Sequence, residues 1–132
     1  LQVPFSINSF EQLKKFLSVL EPTKETATFL QMFGLPNEFL SLHKYYLFGY
    51  LLGVLVGDAS KNKMKGTMNF DISLSKKHPC NERFGNFFSL CVNAVGVVMR
   101  RRRDKKRGDL LQYRWTSESS LLLDYIFEKI LG

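Results

Sequence analysis

The sequence predicts an α+β domain in the order helix, hairpin, helix, hairpin, helix (αββαββα), preceded by a short helical appendage. Three observations carry this reading. A strongly apolar helical pattern runs from residue 43 to 57. After it the hydrophobic period alternates between two and the helical repeat. Turn residues separate the alternating runs, at Lys65-Gly66-Thr67 and over 104–108. With 132 residues, 45% of them hydrophobic, the chain can bury one such core and a small addition to it.

Residues 1–42, the appendage, read as short helices. Ser9 and Gln12 form a capping box ahead of Leu13, Phe16, Leu17 and Leu20. Glu21-Pro22-Thr23 breaks that pattern, and Thr23 caps a second helix to about Phe33. Gly34 stops it, and Pro36 opens a third helix to Leu42. Two short helices around a glycine turn fit a helix-turn-helix or a packing element. The lack of net positive charge here favours packing.

The domain proper spans 43–132. Its first helix leads into a hairpin in which 61–65 and 68–74 alternate. The second strand buries Met68, Phe70, Ile72 and Leu74 and turns Asn69, Asp71 and Ser73 outward. Pro79 suits the first turn of the next helix, whose apolar stripe is Phe84, Phe87, Phe88, Cys91 and Val95, ended by Gly96. The second hairpin pairs 97–103 with 109–116. Leu111, Tyr113 and Trp115 share one face of its return strand, Gln112 and Arg114 the other. Thr116 or Ser117 caps a last helix that turns Leu121, Leu122, Tyr125, Ile126 and Ile130 inward.

Composition narrows the function classes. The longest apolar stretch, 45–57, has 13 residues, fewer than the roughly 20 that span a bilayer. No signal-peptide layout opens the chain, so an intracellular location (cytoplasm, nucleoid or organelle) is expected. The start at Leu1 leads us to expect a piece of a longer protein. Cys80 and Cys91 lie about three turns apart on one predicted helix, too far to bridge. With only His43 and His78 beside them, they read as small apolar fillers and not as a zinc site. Charge is distributed unevenly: residues 1–57 carry four basic and four acidic side chains, residues 58–132 fifteen and eight. The whole net charge of +7 thus falls in the second segment. That implies a polyanionic partner, set against the plainer reading of a solvated basic surface.

The most specific pattern is Gly49-Tyr-Leu-Leu-Gly53-Val-Leu-Val-Gly57-Asp58. Glycines four apart fall nearly on one line of a helix. Each costs about 1 kcal/mol against alanine in a helix interior. Such a line makes sense where a second backbone comes close, with Leu51, Leu52, Val54 and Leu55 filling the other sides. Asp58 then falls at the helix C-terminus, where the macrodipole disfavours a carboxylate and a cation would reverse the sign. Beside orphan carbonyls, it is either an oxygen ligand for a hard divalent metal such as Mg²⁺ or a solvated aspartate ending a core helix.

Leu51-Leu52-Gly53-Val54-Leu55-Val56-Gly57-Asp58-Ala59 resembles the nine-residue LAGLIDADG motif. It matches at the third-position glycine, the small seventh residue and the eighth-position acid. Val56 stands for the first acid and Ala59 for the final glycine. The resemblance covers about 44–132, since the following element order is also that family's. It implies a homing-endonuclease domain with a saddle-shaped antiparallel sheet on double-stranded DNA. It further implies a homodimer, or a second LAGLIDADG half, joined through the motif helix. An intein, an intron or a free-standing gene is the implied origin.

Carried over by residue, Asp58 is the metal ligand, with the Gly57 carbonyl oxygen a second one. Gly49, Gly53 and Gly57 are the pairing face. Lys61, Lys63, Lys65, Asn69, Asp71 and Ser73 lie on the DNA face of the first hairpin, Gln112 and Arg114 on that of the second. Arg, Asn, Gln and Asp suit base edges, while lysines and the Lys105-Lys106-Arg107 turn suit phosphates. Strand alternation sends two of Arg100–Arg103 to each face without fixing the phase; we expect Arg101 and Arg103 toward DNA. The family's basic residue near the end of the fourth strand has Arg114 as its nearest counterpart, and its polar residue after the second strand has Lys76 or Lys77. The expected activity is magnesium-dependent hydrolysis of both DNA strands. The alternatives are a nuclease-inactive DNA-binding regulator or RNA maturase on the same scaffold, and a protein-interaction domain whose glycine helix only dimerises.

Overall fold

A computed structural model describes residues 7, 9–20, 24–32, 34, 43–64 and 67–131, with the side chains of 25, 26, 29, 30, 43, 63, 64 and 67 excepted. The chain forms α1 (Phe10–Ser18), α2 (Lys24–Met32), α3 (His43–Gly57), β1 (Ala59–Met64), β2 (Thr67–Ser75), α4 (Cys80–Asn93), β3 (Met99–Arg107), β4 (Leu110–Ser117) and α5 (Leu121–Tyr125). A π-helical turn, Ile126–Ile130, continues α5. The class is α+β, with one four-stranded antiparallel sheet in the order β1-β2-β4-β3. No helix among the described residues is long and apolar enough to cross a membrane.

One face of the sheet is covered. Met68, Phe70 and Ile72 of β2 and Trp115 of β4 are buried there, against Phe88 and Cys91 of α4 and Leu122 and Ile126 at the C-terminal end, all within one core. Phe70 and Phe88 meet edge to face at 6.4 Å. Leu47, Leu51, Val54 and Leu55 of α3 and Leu13, Phe16 and Leu17 of α1 belong to the same core, so the first helix is joined to the domain by apolar burial. Ser9 caps α1 by accepting the Gln12 N–H at 3.2 Å. Thr23 and the helix expected at 36–42 lie outside the described residues.

Polar stitching closes the sheet at its centre. Ser117, 3% exposed, accepts the Phe70 N–H on its Oγ at 2.9 Å. Asp124 of α5 accepts the Met68 N–H at 2.8 Å. These bonds continue β2 past the last β4 pair and fasten it to the final helix.

Several boundaries differ from expectation. β3 extends to Arg107 and the reversal is only Gly108 and Asp109, with Gly108 left-handed at φ 63°; the basic 105–107 run is therefore strand, not turn. The cap of α5 is Ser120, whose Oγ accepts the Leu123 N–H at 3.1 Å; β4 uses Thr116 and Ser117 as strand residues. Inward positions at the C-terminal end are Leu122, Leu123, Tyr125, Ile126 and Phe127, while Leu121 and Ile130 are exposed. In α4 the buried line is Gly85, Phe88, Cys91 and Val92, and Phe84 is exposed.

Candidate functional site

Among the described residues, one side of α3 is exposed. Tyr45, Tyr46 and Val56 are exposed, Val56 at 73%, and Gly49, Gly53 and Gly57 share that side. A Cβ built on any of the three glycines meets nothing within 4 Å. Among the described residues, then, these glycines make room for no neighbour within the chain and leave the helix backbone exposed along that line. Asp58 follows, exposed, its N–H still bonded to the Val54 carbonyl at 2.9 Å. Behind it, Tyr50 packs edge to face on Phe88 at 5.5 Å. Burial pushes its phenol up to about 12, with Cys91 and Asp58 adding to the shift.

The uncovered face of the sheet follows from the strand register, because directly paired residues share a face. Asn69, Asp71 and Ser73 lie opposite the buried β2 set, as expected. Their partners there are Ser60 and Asn62 of β1, through Ser60–Asp71 and Asn62–Asn69. From β4 come Gln112, Arg114 and Thr116, through Ser75–Gln112, Ser73–Arg114 and Asp71–Thr116. From β3 come Arg100, Arg102 and Lys105, paired with Thr116, Arg114 and Gln112. Arg102, Arg114 and Ser73 therefore form one row across three strands. The adjoining pair Ala59–Ile72 sets Asp58 at that row's end when the register is extended.

Some of these side chains are already engaged. Asp71 accepts from Asn62 Nδ2 at 2.9 Å and from Thr116 Oγ1 at 2.7 Å. Asn69 Nδ2 donates to the Ser117 carbonyl at 3.1 Å. Arg100 pairs with Glu118. Among the described residues no carboxylate pairs with Arg102, Arg103 or Arg114. With Arg101 these three line an open groove of about 420 Å³.

Four expected placements change. Arg101 is opposite Trp115 and therefore on the covered face. Its guanidinium sits 5.0 Å from the Trp115 ring centroid and 5.2 Å from that of Tyr113, and it binds Glu82 of α4 at 2.9 Å. Lys61 is opposite Phe70, so it too is on the helix side, solvated because β1 is an edge strand. Lys76 is drawn under the sheet to Asp104 at 2.7 Å and over the Tyr113 ring at 5.3 Å, away from the Asp58 row. Lys106 pairs with Leu111 and leaves the open face to Lys105 and Arg107. The Lys63 side chain and all of Lys65 lie outside the described residues.

Ser60 and Asn62 were not singled out by sequence reasoning, Thr116 was read as a helix cap, and Arg100 and Arg102 were assigned to the other face of the arginine run. Their signal is cross-strand partnership, which no single strand's alternation contains.

No group of three His, Cys, Asp or Glu side chains that could hold an ion occurs among the described residues. Asp58 and the Gly57 carbonyl are oxygen donors at one helix end, a set that suits a hard cation only when a second carboxylate joins it. No protein-family model matches the chain, and neither a curated protein nor a solved structure matches it.

Proposed function

We propose that the protein is a site-specific double-strand DNA endonuclease of the LAGLIDADG homing type, working as a pair of domains with a divalent metal such as Mg²⁺. The observation that carries this is the bare glycine line of α3 ending in exposed Asp58, at the margin of a sheet face rich in unpaired arginine. Two copies docked through Gly49, Gly53 and Gly57 bring two Asp58 carboxylates together below the helix pair and set two sheets side by side in a saddle. Asp58 and the Gly57 carbonyl would hold the ion, which when bound supplies positive charge at the scissile phosphate. Arg114, on the same cross-strand row, reaches toward a phosphate held there. Gln112, Ser73 and Asn62 are placed for base edges, and Lys105 and Arg107 for phosphates.

A second reading is a nuclease-inactive regulator or RNA maturase with the same sheet. What favours it is Lys76, which is committed to Asp104 beneath the sheet and so cannot serve the Asp58 row. A cleavage assay on a library of randomised duplex sites separates the two. The endonuclease reading requires double-strand products that depend on Mg²⁺ and vanish in Asp58→Asn. Tight binding with no metal-dependent cutting by the unaltered protein would leave the regulator.

A further inference from the structure

Strand β3 carries an irregularity between Arg102 and Lys105. Arg102 pairs with Arg114 and Lys105 with Gln112, so Arg103 and Asp104 together stand against Tyr113 alone. A bulge of this kind re-aims the side chains it contains. Asp104 goes beneath the sheet. It accepts from Lys76 at 2.7 Å and from Arg101 at 3.3 Å, and Arg101 in turn holds Glu82 of α4 at 2.9 Å. Arg103 borders the open groove with Arg102 and Arg114, and Arg101, the clasp's own arginine, also reaches its lining.

We propose that this clasp of Lys76, Asp104, Arg101 and Glu82 positions Arg102, Arg103 and Arg114 as a cleft for a phosphodiester oxyanion, with Asp104 the central positioning residue. The proposal rests on the nucleic-acid reading above and deepens it to one subsite. Its strongest support is the Arg102–Arg114 pair itself. Like charges directly opposed across strands are destabilising, and no described carboxylate offsets this pair. An anion between them removes the penalty. Charge on an edge strand also discourages unwanted strand pairing, but lysines at any position would do that, without a bulge and without arginine opposite arginine. Planar guanidinium forks suit phosphate oxygens. A guanine edge occupies one arginine; a groove lined by three arginines without a described carboxylate partner, beside the engaged Arg101, exceeds what a base requires.

Inorganic pyrophosphate is the direct probe, titrated calorimetrically into the intact chain, with random-sequence duplex DNA as a separate arm. Arg102→Gln and Arg114→Gln should each weaken pyrophosphate about tenfold, the scale of one charge-assisted contact. Asp104→Asn should weaken it as well, although it makes the protein more positive and long-range attraction alone would tighten binding. Asp109→Asn makes the same charge change at the hairpin tip, outside the clasp, and should leave binding equal or tighter. Should Asp104→Asn fail to fold, Glu82→Gln releases Arg101 from its other side at the same cost in charge, and the same weakening is expected. Asp104→Asn or its substitute binding pyrophosphate as well as the unaltered protein overturns the clasp. Binding indifferent to Arg102 and Arg114 overturns the cleft, even if duplex DNA is held tightly. Pyrophosphate held through these arginines with no affinity for duplex DNA keeps the cleft and sinks the endonuclease reading instead.

Discussion

Gly85 of α4 lies against the six-membered ring of Trp115 so closely that a Cβ at that position would occupy the same space as the ring. The indole is 2% exposed, and its Nε1–H donates to Asn86 Oδ1 at 3.2 Å. Helix and sheet are therefore seated on each other by one missing methyl group and one hydrogen bond. Because the ring is rigid and enclosed, it cannot yield as a flexible side chain would. Gly85→Ala should destabilise the fold by about 1–3 kcal/mol, the range for overpacked cores, despite alanine's better helix propensity. A lower urea midpoint with unchanged slope checks this; a midpoint at or above the original would show that α4 can slide away freely.

The buried Ser117 hydroxyl makes a second prediction. Its Oγ is the acceptor for the Phe70 N–H beyond the last β2–β4 pair. Ser117→Ala leaves that N–H unsatisfied inside the core, at a cost of about 1–3 kcal/mol. Ser117→Thr retains the acceptor and should lose less. Equal stability of the alanine variant in chemical denaturation would mean that another acceptor takes over.

Tyr50 should make the protein sensitive to alkali. Its phenol ionises near pH 10 in an unfolded chain, whereas in the fold burial holds it protonated up to about pH 12. The native state thus retains a proton that the unfolded state has lost. The stabilisation is fully present below pH 10 and falls as pH rises toward 12. Tyr50→Phe should flatten that decline, read as unfolding midpoint against pH. Parallel profiles for the two proteins would contradict the assignment.

At the acid end the clasp titrates with the opposite sign. The hydrogen bond from Lys76, followed by that from Arg101, holds the Asp104 carboxyl below the usual carboxylate range. The stability it contributes is present above the ordinary aspartate pKa and is lost as pH falls through the depressed one. Asp104→Asn should remove that portion of the acid dependence while leaving the alkaline limb intact. An unchanged acid limb in thermal unfolding would show the ion pair to be idle.

What was legible in the sequence follows from which elements carry a contrast between faces. The buried set Met68, Phe70 and Ile72 is found where strand alternation puts it, since apolar and polar positions alternate there; the helix at 43–57 has hardly any contrast between its faces and was legible as a long, unbroken apolar run. The arginine run of β3 has no such contrast. Its phase comes from Tyr113 and Trp115 on the neighbouring strand, which draw Arg101 inward, and from the bulge, which resets alternation after Arg102. Lys61 misleads for another reason: on an edge strand both faces reach water, so a lysine says nothing about which one it occupies. In α4 the apolar stripe of aromatic residues gives no sign of Gly85, although the contact with Trp115 needs the residue without a side chain there.

The glycines of α3 were legible as a line, and the fold adds that this line is open on the protein's own surface. The measurement that bears on it most directly is the mass of the protein in solution, by sedimentation equilibrium, with and without duplex DNA, for the unaltered chain and for Gly53→Leu. A dimer that Gly53→Leu converts to a folded monomer is the predicted result. A chain that stays monomeric in both conditions, or a dimer indifferent to the leucine, would contradict the paired-helix account.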